Sequence, residues 1–352
     1  MKILRLLCFA GLFAATSASA QEFLWNVGLD WKFDNREYKS EVNWPQTLFG
    51  ARLTPEVGIG WGQSKLPSPH GLMIGVDLMA DFGAETFNTT PDLIFYYRYD
   101  SPKFKAWAGV FPRHKTIGGY SNAFFSDSTR FYDANLDGVL LQYIGRRGYL
   151  EFACDWNSMQ SEQRREKFML FSSGRLNMPV LYMGYNASMY HHAGTIHAEG
   201  VVDNILLNPL AGVDLTRIAP LDSLTLQAGW LQAFQNDRDH VGKYVSPGGV
   251  QIEARVEKWQ FGIFNTLYLG DGLMPYYHLY GNGLYSGEPF YRTETGLYNR
   301  LELYWQPLRR RDLNLRVASI HHHDGKKWGW QQMISFRVNI DREMFSQKSK
   351  KR

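Results

Sequence analysis

The chain has 352 residues, of which only 20% are charged and 15% aromatic, and its net charge of +4 includes Lys2 and Arg5 close to the start. That composition carries enough apolar and aromatic surface to offset ordering entropy, which excludes disorder, and its charge is too small to imply nucleic-acid binding. No motif recurs at a fixed period, which excludes a solenoid, and after the first twenty residues no apolar run approaches the roughly 20 residues of a membrane helix.

The leader comes first. Lys2 and Arg5, the apolar stretch Leu6 to Ala15, and Ala18-Ser19-Ala20 before Gln21 form the charged, apolar and small-residue regions of a secretory signal, with cleavage expected after Ala20. Cys8 lies inside the apolar stretch and is too early for a lipid-modified cysteine. Cys154 is then the only thiol of the mature chain, so an internal disulfide is excluded.

The mature chain opens with a period of two. Phe23, Trp25, Val27, Leu29, Trp31 and Phe33 alternate with Asn26, Gly28, Asp30, Lys32 and Asp34, and only a strand sorts alternate residues onto opposite faces. The same pattern returns over 49–61 and 72–82. These runs match the 9 to 11 residues that cross a bilayer at a tilt, whereas strands of soluble sheets average about 5 to 6. Further strands are expected at 91–100, 103–112, 136–145, 149–157, 167–176, 180–190, 207–217, 223–235, 249–257, 259–269, 296–306, 312–322 and 328–341.

The connections give an independent test. Tight turns fall at 100–102, 145–148, 177–179, 219–223, 257–258 and 307–312, and long loops at 35–46, 113–135, 191–206, 236–248 and 270–295. Counted from the first strand, the short ones lie on one side and the long ones on the other, as in bacterial outer-membrane barrels. The exception is 62–71, a longer stretch on the short-turn side. The expected fold is all-β, a transmembrane antiparallel up-and-down barrel of about sixteen strands over 21–341, with a basic tail at 342–352; fourteen or eighteen strands also fit.

The two faces of each strand separate charge from apolar bulk. In the last strand Trp328, Trp330, Ile334, Phe336, Val338 and Ile340 oppose Gln331, Ser335, Arg337 and Asn339. A charge at the middle of a lipid face costs about 2 to 4 kcal/mol, so the charged face points inward. The lumen then holds Arg52, Arg98, Lys105, Arg255, Arg300, Arg316 and Arg337 against Asp30, Glu56, Asp77, Asp81, Glu151, Asp155, Glu253 and Glu302. Two readings stand: these groups pair across strands and fix the wall, or Arg300, Arg316 and Arg337 form a constriction that attracts an anion.

With the leader, the terminal strand, the alternation and the loop asymmetry, the whole mature chain resembles a bacterial outer-membrane β-barrel of porin type, and its Gly-rich, aromatic-rich style is similar to barrels of the Bacteroidetes. The resemblance implies a water-filled channel for small hydrophilic solutes such as sugars or anions, lodged in outer-membrane lipid, delivered by the barrel-assembly machinery and often a homo-oligomer. It implies neither cofactor nor reaction. The departure is at the end, where Phe345 and a basic tail replace a terminal aromatic.

Loop 270–295 carries Tyr276, Tyr277, Tyr280, Tyr285, Phe290 and Tyr291. It either folds into the lumen, where the tyrosines would contact solute, or has its rings join the interfacial girdle or pack the loop against its neighbours, the reading preferred here. Loop 113–135 would narrow the pore if it folded inward. For catalysis the candidates are His197 with Ser188 or Glu199, near His191 and His192, and for a metal the run His321-His322-His323-Asp324. Neither matches a recognised nucleophile-and-base or ligand pattern, so the expectation is a channel that is not an enzyme and holds no metal; a hydrolase using a loop histidine and an occluded surface-binding or export-assembly barrel are the alternatives. Asn88-Thr89-Thr90 matches a glycosylation triplet without meaning in a bacterial export context.

Overall fold

The computed structural model describes residues 22–40, 42–62, 68–84 and 91–342. The leader, the triplet Asn88 to Thr90 and the tail beyond Arg342 lie outside them. The described chain closes into one barrel of sixteen antiparallel strands, each paired with its chain neighbours, with the first closing on the last. In order these are β1 (Glu22–Tyr38), β2 (Gln46–Trp61), β3 (His70–Asp81), β4 (Asp92–Asp100), β5 (Phe104–Pro112), β6 (Asn135–Gly145), β7 (Gly148–Ser158) and β8 (Lys167–Asn177). The second half comprises β9 (Leu181–His192), β10 (Val202–Asp214), β11 (Ser223–Asp237), β12 (Gly248–Lys258), β13 (Phe261–Gly270), β14 (Leu297–Arg309), β15 (Leu313–His323) and β16 (Trp328–Asp341). Closure leaves no strand edge, so every backbone group at membrane depth finds a partner within the wall.

The count and the parity of the connections agree with the sequence. The turn end carries the tight links, such as 146–147 and the two-residue turn Trp259-Gln260, whose φ values of 49° and 73° are those of the hairpin turn that follows strand twist. The loop end carries 113–134 and 271–296, but also the short 324–327. Strand bounds differ where polarity was read as loop. β1 runs on through Asn35, Arg36 and Glu37 to Tyr38, which pairs with Gly329, and β10 begins at Val202 rather than 207. Alternation of apolar residues marks contact with lipid, whereas the backbone ladder continues above it.

The outer face is apolar, with Leu72, Ile74, Phe95, Phe104 and Leu141 all exposed. The buried residues line or fill the interior. Both long loops fold into it: Lys32 Nζ donates to the Asp127 carbonyl at 3.0 Å, Arg36 to Ser128 Oγ at 2.7 Å, and Gln235 Nε2 to the Leu273 carbonyl at 2.7 Å. The loops also bind each other, through Ser126 N to Ser286 O at 2.8 Å and Glu288 N to Asn122 O at 2.7 Å.

The preferred placement of the aromatic loop at the girdle is therefore corrected. Tyr276, Tyr277, Tyr285, Phe290 and Tyr291 are buried in one cluster with lumen-facing Tyr38, Tyr268 and Tyr298. Tyr291 donates to Gln251 at 2.6 Å, Tyr285 to Gln235, and half-buried Tyr280 to Asp237 at 2.7 Å. The rings leave solvent for an interior whose wall supplies both flat partners and hydroxyl acceptors.

Candidate active site

Interior charges come in matched sets. Arg300 holds Glu302 at 2.7 Å and Asp127 at 3.1 Å, and Arg316 holds the other oxygen of Glu302 with Nε at 3.0 Å. Arg337 pairs with Asp30, Arg52 with Asp77, and Arg255 with Glu257 at 3.3 Å, while Glu253 accepts from Gln227 and Thr266 and Asp81 from Tyr132. Burial would push the Asp127 carboxyl up, but Arg300, Lys32, Arg130 and Arg36 hold it below the ordinary aspartate value. Thus the three arginines expected to form a basic constriction each have a carboxylate, Arg316 and Arg337 across neighbouring strands and Arg300 on its own strand and in the inward loop.

The histidine runs are cut apart by the strand period. His322 points inward, stacked on Phe290 at 4.6 Å and bonded to Tyr298 OH at 2.9 Å, whereas His321 and His323 face outward. Three consecutive imidazoles on a strand cannot converge on one ion, and among the described residues no group of three metal-ligating side chains forms. His192 likewise packs inside against Tyr280 at 5.4 Å. His191 faces outward, 3.4 Å from Asp203, which accepts from Arg238 at 2.7 Å. His197 stands in the loop beyond β9, 4.0 Å from Glu162, while Ser188 faces the lumen; no hydrogen bond among the described residues joins His197 to Ser188 or Glu199.

A different constellation occupies the outer wall. Ser319, Gln332, Asn35 and Thr47 stand directly opposite one another in register across β15, β16, β1 and β2. The row beneath them, Val317, Ile334, Phe33 and Phe49, is wholly apolar. Such a step from apolar to polar along a lipid-facing wall is the kind found where hydrocarbon gives way to headgroups. Asn265 and Asn299 add polar groups on β13 and β14, each tied to the other and to a wall carbonyl, as in Asn299 Nδ2 to Thr266 O at 3.2 Å.

Within this patch Ser319 Oγ lies 3.1 Å from His321 Nε2. The two residues are i and i+2 on one strand, so the ladder fixes their shared face. The His321 ring packs on Trp328 at 5.1 Å, with Trp330 directly opposite on β16. Its Nδ1 is buried without a partner, so the pair has no orienting acid among the described residues. Below lies an apolar trough of about 900 Å³ with Ile263, Leu303, Trp305 and Ile334 in its wall and Ser319 and Gln332 at its margin. The arrangement sets a hydroxyl and an imidazole together at the margin of an apolar trough. The alternation in the sequence places Ser319 and His321 on one face, but a hydroxyl between Ala318 and Ile320 carries no catalytic signature of its own.

These features define a sixteen-stranded barrel of the bacterial outer membrane with a polar site on its lipid-facing wall. The sequence model of the lipid A 3′-O-deacylase-type family matches residues 18–348, and the chain belongs to that family. The expectation of a barrel that is not an enzyme is thereby overturned, since the family is one of enzymes. No curated protein sequence matches the chain. Among solved structures, in-vitro folded OmpT, an outer membrane protein of Vibrio cholerae, is 9% identical with a TM-score of 0.55, over 93% of this chain and 99% of that one. Its loop L8 deletion mutant gives 9% and 0.54 over 91% and 100%, and Salmonella typhi OmpF in complex with daunomycin gives 8% and 0.50 over 92% and 99%. At such identities the likeness is one of fold.

Proposed function

We propose that this chain is an outer-membrane ester hydrolase acting on an ester-linked acyl chain of lipid A, at the outer wall between β13 and β2. The observation that carries the reading is the 3.1 Å contact of Ser319 Oγ with His321 Nε2 at the margin of the apolar trough. The acyl chain lies in the trough, which sets its ester carbonyl beside Ser319. His321 Nε2 takes the hydroxyl proton as Oγ attacks the carbonyl carbon. The Gln332 side-chain amide, directly opposite Ser319 and free of hydrogen-bond partners among the described residues, donates to the developing oxyanion. The carbon–alkoxide bond breaks, His321 returns the proton to the leaving oxygen, and water then cleaves the acyl-serine by the same proton path to give a free fatty acid.

Lipid A incubated with protein in vesicles and analysed by mass spectrometry tests this. The wild type should release one acyl chain, and Ser319→Ala or His321→Ala should lower the rate by at least about a hundredfold while migration of folded protein on gels is unchanged. Full activity in both variants would refute the assignment.

Solute passage is the second reading. It rests on three interior spaces with no lining residue in common, of about 760, 460 and 350 Å³. Arg300, Arg316, Arg337, Arg255, Glu253, Glu302, Asp77 and Asp81 would set its charge preference, Tyr277 and Tyr285 would meet solute in the largest space, and a homo-oligomer would suit it. Deleting residues 271–291 should then open stable conductance steps in planar bilayers; a silent bilayer with folded protein removes this reading and leaves the hydrolase reading intact.

A further inference from the structure

The inward loop carries a short helical turn, Arg113–Lys115, to the turn end of the barrel. There Lys115 and His114 meet Arg98 of β4, Lys105 and Trp107 of β5 and Tyr96 around a cavity of about 350 Å³. Most charges on this cavity are already matched. Lys105 holds Asp100 at 2.9 Å, Arg342 holds Glu22 at 3.4 Å, and Asp341 accepts from Arg311 at 2.8 Å. Arg98 and Lys115 are not: among the described residues neither has a carboxylate within 4.0 Å, and Arg98 Nε is buried with no hydrogen-bond partner. The remaining nearby acid, Glu56, does not line the cavity, and its oxygens accept from Asn26 at 2.9 Å and Tyr96 at 2.7 Å.

Two partly buried cations lining one cavity without a carboxylate partner favour an anion between them. A planar guanidinium with an unused N–H and an ammonium match the oxygens of a tetrahedral oxyanion. The geometry points to a binding site for a small phosphate-type anion, inorganic phosphate or a phosphomonoester, in the turn-end cavity between Arg98 and Lys115. Burial pushes the Lys115 ammonium down from its ordinary value, with Glu56 opposing and Arg98 adding to the shift, and an anion bound there would oppose it. Trp107 and Tyr96 give the rest of a phosphomonoester a flat apolar wall. The site stands apart from the outer wall and does not depend on the hydrolase reading.

Calorimetric titration of the full-length protein in lipid nanodiscs, with inorganic phosphate in one series and glycerol 3-phosphate in another, tests the site. Saturable binding of one anion per chain is expected, and the stronger series identifies which source the cavity prefers. Arg98→Gln and Lys115→Gln should each weaken it at least tenfold, with lipid A hydrolysis unchanged. Lys115 lies in a loop, so its variant remains informative if the strand variant fails to fold. Absence of binding to wild type in both series, or wild-type affinity in Lys115→Gln, overturns the proposal.

Discussion

The lipid-facing wall over β3 to β5 and the wall over β13 to β2 face the same bilayer and differ sharply. In the first, Leu72, Ile74, Val76, Leu78 and Ala80 on β3, Leu93 and Phe95 on β4, and Phe104, Ala106, Ala108 and Val110 on β5 give an apolar surface through nearly the whole strand length. In the second, the apolar Val317 row is followed by a row that sets Ser319, Gln332, Asn35 and Thr47 beside Leu303, and then by His321 between Leu301 and Trp330. The barrel therefore does not require the polar patch, because its other side is built without one. Inside the barrel most buried charged side chains are paired with loop or wall, although single atoms such as Asp34 Oδ1 and Arg98 Nε have no partner; outside, among the described residues, neither the Gln332 side chain nor His321 Nδ1 has one. Unpartnered polar groups lower stability unless a ligand meets them, and on this wall the available ligand is a lipid.

The largest effect expected from that contrast is on the apolar side. Ile74→Arg, exposed at mid-strand in β3, should lower unfolding free energy in bilayers by about 2 to 4 kcal/mol, measured by urea titration, without altering hydrolysis of whatever protein folds. On the polar side the pattern inverts. Gln332→Leu should hold or raise stability by up to about 1 kcal/mol while slowing lipid A hydrolysis about tenfold to a hundredfold, because the oxyanion loses a donor. Equal losses of stability in the two variants would erase the distinction between the walls.

Much of the fold could be read from residues because the barrel repeats one rule. Alternation over Phe23 to Phe33 and Trp328 to Ile340, with the parity of turns and loops, fixed the closed architecture and the charged interior. The same rule, applied to His321-His322-His323, already says that the run is split across the wall, yet adjacency in sequence suggested a cluster. The polar row is less visible because its members meet only through register: Ser319 faces Gln332 across the β15–β16 hairpin and Gln332 faces Asn35 across the closure of the barrel, and register is not read from one strand alone. Loop 271–296 was misplaced for a related reason. Its aromatic content shows that it must be covered, but whether lipid, neighbouring loops or the lumen covers it depends on partners such as Gln235 and Gln251 that lie far away in sequence.

The smallest effect concerns the interior side of the contrast, where a polar group is buried and imperfectly paired. Glu288, in the inward loop, accepts from Asn43 at 3.1 Å, and burial raises its carboxyl to about 7 from the ordinary 4.5, with Asp127 and Asp34 adding to the shift and Arg36 and Arg300 opposing it. A carboxyl whose folded value lies above its unfolded one binds more protons folded than unfolded between those limits, so stability falls as pH rises from about 4.5 to 7. The contribution is roughly 2 kcal/mol, somewhat below the full linkage value because nearby arginines can readjust. Glu288→Gln keeps the acceptor and removes the titration, and should flatten that slope in denaturant midpoints measured across the window. If the slope persists in the variant, another group drives it. If the wild type instead gains stability toward neutral pH, Arg36 and Arg300 hold Glu288 as a carboxylate, and the interior is as fully paired there as it is around Arg300 and Glu302.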